Sequence, residues 1–200
     1  MITCYTGNAY RGITLKWAHL PYSGEGAKLE GRRYNPIGAH ALYCSITHQT
    51  MLKEITQGVF VNLEPTVIVN FQVNKSRILD LRKPSIRTAL GISVADMNYA
   101  WSLTDFDRFH LDKSSKSDLD YLAPSQLIFF KTLAAGADGI ISPSYAIGAE
   151  SSEANIVFFD WNRGTGTEIE VHDPKGMLPG YNNDGLPTYN RNEILTKFGF

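Results

Sequence analysis

The stretch that decides the fold is "EGRRYNPIGAHALYCSITHQTMLKEI", residues 30–55. Its first part is rich in Gly, Asn and Pro, a composition typical of turns. The apolar run "ALYCS", residues 41–45, predicts a short buried strand. Thr47 then predicts the start of a helix that runs to about Gln57 and ends at Gly58, with Met51, Leu52 and Ile55 facing inward. A turn, a strand and a helix in one short stretch favour a fold that mixes short strands with short helices.

The rest of the chain has the same irregular mixture. A helix is predicted from Pro124 to Gly136, short helices over 84–110, and a helical turn in the last eight or so residues. Within 84–110, Trp101, Phe106 and Phe109 are expected to be packing residues, and residues 111–120 are expected to form a polar surface loop. The Gly-rich segment 22–40 is expected to be a turn-like loop. Strands are predicted at 9–18, 66–73, 139–144, 155–160 and 167–171. This order lacks the regular strand–helix alternation of a doubly wound sheet, so an α+β fold is predicted.

Composition narrows the classes of function. The chain has 200 residues, the usual size of one domain, and a formal net charge of −1. It has no long basic run, so binding to nucleic acid on its own is not expected. Its start lacks the features of a signal peptide, and no apolar run is long enough to span a bilayer. We therefore expect a soluble protein with no membrane partner that acts in the cytoplasm.

Cysteines and histidines do not predict a metal site. Cys4 and Cys44 have no CxxC partner, and two cysteines fit a reducing compartment. The five histidines are scattered, and no pair has the i, i+4 or HxH spacing that binds zinc. No metal cofactor is expected.

Arginine and glutamate side chains near the opening stretch suggest a binding site. Arg11 lies in a strand-like segment, where an unpaired buried charge is costly and calls for a partner. Arg33 lies in a Gly-rich loop, and a guanidinium can bind two oxygens of a pyrophosphate at once. Glu54 borders the buried stripe of its helix. The alternative is that Arg32 and Arg33 are solvated loop charges, Tyr43 a core residue and Glu54 a surface position on its helix.

Arginines for a pyrophosphate, aromatic rings for a flat base and one carboxylate for a sugar are the groups needed to break a nucleotide's glycosidic bond. NAD is the natural candidate substrate. Its nicotinamide is already cationic, so the leaving group needs no proton and the second carboxylate of a glycosidase is not required. One glutamate can stabilise the oxocarbenium-like transition state electrostatically.

Five short motifs stand in order between residues 5 and 175. They are Tyr10-Arg11; Gly24, Gly26 and Ala27; "GRRYNPIG" at 31–38; "ALYCS" followed by Glu54; and "GIISPS" with Ser144, followed by "NIVFF" with Asn155. In this set the chain resembles the RES domain, the toxin half of Xre–RES toxin–antitoxin systems. It departs from the family pattern at Arg32, which replaces a glycine, and at Tyr34, which replaces a tryptophan.

The resemblance implies a fold like that of ADP-ribosyltransferases of the diphtheria-toxin type. The expected core has short strands in a split mixed sheet, short flanking helices and NAD in the cleft. It would occupy residues 1–175, followed by a C-terminal tail at 176–200. Family members consume NAD as a substrate by hydrolysis or phosphorolysis, and some transfer ADP-ribose to a protein.

The resemblance also implies roles for individual residues. Glu54 would stabilise the cationic transition state and, with Arg11, form the catalytic pair. Arg11 and Arg33 would bind the phosphates or ribose, and Tyr43 would stack on or orient the nicotinamide side. The other expected NAD ligands are Ser144, Tyr10, Ser45 and Asn155. A structural role is the alternative for Tyr10 and Asn155.

Three functions remain open at this point. The first is an NAD+-degrading toxin, a glycohydrolase or phosphorylase. The second is an ADP-ribosyltransferase that modifies a cellular protein, and the third is a non-catalytic nucleotide-binding module. A toxin implies a neutralising partner, either a cognate Xre-type antitoxin or, for a secreted effector, an immunity protein.

Overall fold

Strands and helices occupy most of the described chain. The computed structural model describes residues 1–56, 64–101, 122–161, 168–178 and 190–198. The strands are β1 (Ile2–Thr14), β2 (Leu42–Ser45), β3 (Thr66–Asp80), β4 (Gly139–Pro143), β5 (Ala154–Phe158) and β6 (Ile169–Val171). The helices are α1 (Glu25–Glu30), α2 (His48–Thr56), α3 (Pro84–Ala89), α4 (Val94–Met97), α5 (Pro124–Ala134) and α6 (Arg191–Phe198). A 3-10 turn, Leu15–Trp17, follows β1.

Five strands pair in a closed ring, in the order β1-β2-β5-β4-β3, and β3 pairs again with β1. β3 and β4 are parallel, and the other neighbours are antiparallel. β3 pairs with β1 along one edge and with β6 and then β4 along the other. The predicted α+β class is confirmed. The predicted split sheet is wrong, because β1 has a partner on both edges and the sheet closes into a barrel-like ring.

The junction between β1 and β2 is the shortest in the ring. Among the described strand residues, its register consists of one pair, Tyr10 with Ser45. By comparison, β2 and β5 pair over four positions, from Leu42–Phe158 to Ser45–Asn155. Past the Tyr10–Ser45 pair, β1 and β2 are therefore free to diverge.

Two apolar clusters lie on opposite faces of the sheet. Alternate residues of a strand point to opposite faces, and β5 shows this directly: Ile156 and Phe158 belong to one cluster and Val157 to the other. The cluster that contains Val157 is covered by α5. There the ring of Phe129, on α5, meets the ring of Phe159, just after β5, edge to face at 5.0 Å. The sheet is therefore buried on both sides.

Several elements differ from the sequence-based expectation. β1 begins at Ile2, β3 continues to Asp80, and α1 forms within the segment expected to be a loop. The continuation of β3 carries Lys75, which is buried and forms ion pairs with Asp138 at 3.0 Å and Glu168 at 2.5 Å. Local sequence could not show this, because both acids are remote in the chain. The expected polar loop at 111–120 lies outside the described residues.

The C-terminal helix packs on the body of the domain. The ring of Phe198 lies 5.0 Å from that of Phe130, and Arg191 donates to the carbonyl of Ala137 at 2.9 Å and pairs with Asp138. A domain boundary at residue 175 stays a prediction. In the described ranges, no helix has the length and apolar character needed to cross a membrane.

Candidate active site

A cleft of about 670 Å³ opens where β1 and β2 diverge. Arg11 and Gly12 line it from β1, and Tyr43 and Cys44 from β2. The other walls come from α1 and the loop after it, the helix α2, residues 100–101, the end of β4 with the residue Tyr145 beyond it, and β5. Of the residues expected from the sequence to bind NAD, those that line the cleft are Tyr10, Arg11, Arg33, Tyr43, Ser45, Glu54 and Asn155. The remaining one, Ser144, contacts Glu54.

Helix α2 holds Glu54 at the cleft wall. The helix begins as predicted, because the Thr50 amide donates to Thr47 Oγ1 at 3.1 Å. It packs closely on β1 at Gly12, where an added Cβ would lie 2.8 Å from Ile55 Cγ2. A side chain at position 12 would therefore push α2, and Glu54 with it, away from the sheet.

The Glu54 carboxylate is held on one side by a hydrogen-bond network. Ser144 Oγ donates to Glu54 Oε1 at 2.6 Å, and Asn155 Nδ2 donates to the same oxygen at 2.5 Å. Ser45 Oγ in turn donates to Asn155 Oδ1 at 2.7 Å. Within the described part of the chain, Oε2 has no hydrogen-bond partner. The network therefore fixes the carboxylate and leaves one oxygen for a ligand hydroxyl.

Arg11 is a partly buried cation without a counter-ion among the described residues. Its Nη1 donates to the carbonyl oxygen of Pro21 at 2.9 Å, and no described carboxylate forms an ion pair with it. Burial lowers the pKa of Arg11, although an arginine remains protonated near neutral pH. A guanidinium in this position is suited to an anionic ligand.

Arg33 projects from the loop that joins α1 to β2. Its Nη1 donates to the carbonyl oxygens of Met97 and Tyr99, at 3.3 and 3.0 Å. Its Cζ lies 5.1 Å from the centre of the Tyr145 ring. No described carboxylate forms an ion pair with Arg33. Its neighbour Arg32, by contrast, is neutralised by Glu30 at 2.5 Å.

Hydrogen bonds to Asn35 and Tyr43 fix the loop that carries Arg33. Asn35 is fully buried, and its Nδ2 donates to the carbonyls of Ala27 and Ala39, both at 2.8 Å. Its Oδ1 accepts from the Tyr43 hydroxyl at 2.8 Å, and that hydroxyl accepts from the Tyr34 amide at 2.9 Å. The Tyr43 hydroxyl thus has a donor and an acceptor already, which leaves the ring to face a ligand.

Replacing Tyr43 by Phe is expected to lower the free energy of unfolding by about 1–3 kcal/mol, because a buried acceptor on Asn35 and a buried amide would lose their partner. Urea unfolding of the wild type and the variant measures the difference. Tyr99→Phe, at an exposed tyrosine, is the matched control. Equal stability of Tyr43→Phe and wild type would show that the loop does not depend on this hydroxyl.

Sequence reasoning missed two aromatic residues of the cleft. Trp101 was expected only to pack, yet it lines the cleft, with its ring 5.9 Å from Arg32 Cζ. Tyr145 lines the cleft directly after Ser144. Nothing in the local pattern marks either residue, since their contacts are with a loop far away in the chain. The predicted packing residues Phe106 and Phe109 fall outside the described ranges.

Metal-binding groups are not brought together in the part of the chain that the structure describes, where no cluster of three or more His, Cys, Asp or Glu side chains could hold an ion. Cys44 lies at the cleft wall as a buried thiol, and burial raises its pKa to about 12. The thiol is therefore protonated at neutral pH and is a poor nucleophile.

Comparisons with known proteins agree with this architecture. A profile of the RES domain family matches residues 8–179. Among solved structures, a chain of the M. tuberculosis MbcT–MbcA toxin–antitoxin complex is similar in fold, with a TM-score of 0.60 and 18% identity. The match covers 86% of this chain and 84% of that one. A search of curated protein sequences found no match.

Proposed function

This chain belongs to the RES domain family, and from that premise we propose that it is a toxin that cleaves the nicotinamide–ribose bond of NAD+. In this proposal NAD+ is consumed as a substrate, by a glycohydrolase or phosphorylase reaction. The observation that carries the proposal is the content of one cleft: a carboxylate with one oxygen available and two arginines without a described counter-ion.

The arginines account for binding. Arg11 and Arg33 have no carboxylate counter-ion among the described residues, and the negatively charged pyrophosphate of NAD would serve as one. A guanidinium matches phosphate oxygens in geometry as well as charge. The rings of Tyr43 and Tyr10 line the same cleft and offer faces for the nicotinamide side. The dinucleotide would therefore lie along the cleft with its phosphates at the arginines.

The carboxylate accounts for cleavage. As the C–N bond to the ribose breaks, both bonding electrons leave with the nicotinamide, which becomes neutral, and positive charge develops on the ribose. Glu54, fixed by Ser144 and Asn155, stabilises that charge through its available oxygen and the ribose hydroxyls. Water or phosphate then attacks the ribose carbon and loses a proton to solvent, giving ADP-ribose or its 1-phosphate.

A neutralising partner is part of this proposal. The structural neighbour is described as a toxin–antitoxin complex, and a toxin that degrades NAD in its own cytoplasm must be held inactive there. We expect a cognate antitoxin of the Xre family or, if the protein is a secreted effector, an immunity protein.

The test is to incubate the purified protein with NAD alone, with added phosphate, and with cell lysate, and to follow the products by NMR. Nicotinamide release with ADP-ribose or its 1-phosphate supports a degrading enzyme and identifies the acceptor. Release only in lysate, with label on a protein, would instead make the protein an ADP-ribosyltransferase. No release under any condition would contradict both and favour a nucleotide-binding module.

A further inference from the structure

We propose that Tyr145 is a positioning residue that supports Arg33 and thereby sets the affinity of the cleft for a pyrophosphate. This inference rests on the proposed function for the identity of the ligand. It assigns a role to a residue that lies outside the family motifs seen in this sequence.

Arg33 is contacted by an aromatic ring and by two backbone carbonyls. Its guanidinium is 5.1 Å from the centre of the Tyr145 ring, within the range of a cation–π contact. The backbone carbonyls of Met97 and Tyr99 also accept from Arg33 Nη1. The ring and the carbonyls hold the cation without neutralising it, so its charge remains available for a phosphate.

The phenol of Tyr145 is uncharged and its hydroxyl has no hydrogen-bond partner among the described residues. Burial raises the pKa of Tyr145, so the side chain is neutral at pH 7 and cannot form an ion pair with Arg33. Its hydroxyl is buried and has no hydrogen-bond partner among the described residues. The ring, rather than the hydroxyl, is therefore the part that acts on Arg33.

Tyr145 directly follows a residue that contacts the carboxylate of the cleft. Its neighbour Ser144 donates to Glu54, so two consecutive residues contact the carboxylate and the arginine of the same cleft. The loop that follows is tied to α2 by Lys53, which donates to the Gly148 carbonyl and to Glu153, both at 2.8 Å. A residue in this position therefore fixes the location of Arg33, the phosphate-binding group, relative to Glu54.

The test compares Tyr145→Leu with Tyr145→Phe by calorimetric titration with ADP, which carries a pyrophosphate but no bond to cleave. We expect the Leu variant to bind ADP about 2- to 30-fold more weakly, the range of a cation–π contact. The Phe variant keeps the ring and should bind like wild type. In an Arg33→Met background, Tyr145→Leu should change ADP affinity no further, because the partner is gone.

The affinities of these variants for ADP either support or overturn the role of Tyr145. Wild-type affinity in Tyr145→Leu overturns the proposal, as does equal weakening in Tyr145→Phe, which would assign the effect to the hydroxyl. An equal effect of Tyr145→Leu with and without Arg33 would show general damage to the fold and also overturns it. ADP binding needs no turnover, so it can be measured even if the protein does not cleave NAD. If NAD is not cleaved but the variants bind ADP as expected, the proposed function is refuted and the role of Tyr145 is supported. A wild-type protein that does not bind ADP refutes the inference itself.

Discussion

Glu54→Gln is expected to lower the rate of nicotinamide release from NAD by about 100-fold or more, with the fold unchanged. Removing one electrostatic stabiliser of a developing charge costs about 10²–10³ in rate where it has been measured in enzymes. Glutamine has the shape of glutamate but no charge, so it cannot compensate the positive charge that develops on the ribose.

Glutamine is a sharper substitution than alanine at this position. The amide oxygen of the introduced glutamine can still accept from Ser144 and Asn155, whereas alanine would leave both donors without an acceptor, at about 1–3 kcal/mol each. A loss of activity in Glu54→Ala would therefore mix chemistry with stability. In Glu54→Gln the two can be separated.

The measurement is NAD turnover by NMR, with thermal unfolding of the same samples. Glu170→Gln, at an exposed position on β6, is the matched control and should be as active as wild type. Turnover by Glu54→Gln within a few fold of wild type would show that another group stabilises the transition state.

Local sequence predicted the elements around the site well. The strand at 41–45 and the start of the helix after Thr47 were confirmed, as Leu42–Ser45 and His48–Thr56, because a buried apolar run and a helix cap are short-range features. The predicted end of the helix at Gly58 lies outside the described residues. The inward stripe of that helix was only partly right. Met51 is buried, but Leu52 is 43% exposed.

Closure of the sheet could not be predicted in the same way. β1 pairs with β3 from Ile2–Leu79 to Thr14–Thr66, so its length depends on a partner more than fifty residues away. The same distance hides the role of Lys75, which reads as a surface charge until Asp138 and Glu168 are brought to it. Pairings of this kind depend on the fold as a whole.

Some residues of the site could be identified from the sequence, and others could not. Arg11 and Glu54 were singled out by chemistry, since a strand-borne arginine and a half-buried helical glutamate call for a partner. Ser144 and Asn155 entered only through the family resemblance, and the structure puts both on one oxygen of Glu54. Neither its chemistry nor the family motifs marked Tyr145, because its contact with Arg33 depends on how the loop that carries Arg33 packs.

Arg11→Met is expected to weaken ADP binding by about 10- to 100-fold, the effect of a charged hydrogen bond of about 1.5–3 kcal/mol. The variant should bind ADP weakly without losing stability. In the free protein Arg11 is a partly buried charge with a carbonyl as its described partner, and replacing such a partly desolvated charge by an apolar side chain of similar volume is expected to be neutral or stabilising.

Two measurements on the same variant test this claim: calorimetric titration with ADP, and urea unfolding without ligand. Arg82→Met is the matched control, because Arg82 pairs with Asp80 at 2.8 Å and does not line the cleft. That variant should keep its ADP affinity. If Arg11→Met instead unfolds at lower urea and binds ADP like wild type, Arg11 serves the fold through Pro21. A cation that does not stabilise the free protein contributes through its ligand. Arg11 has that role only if Arg11→Met binds ADP more weakly and unfolds at the same or higher urea concentration than wild type.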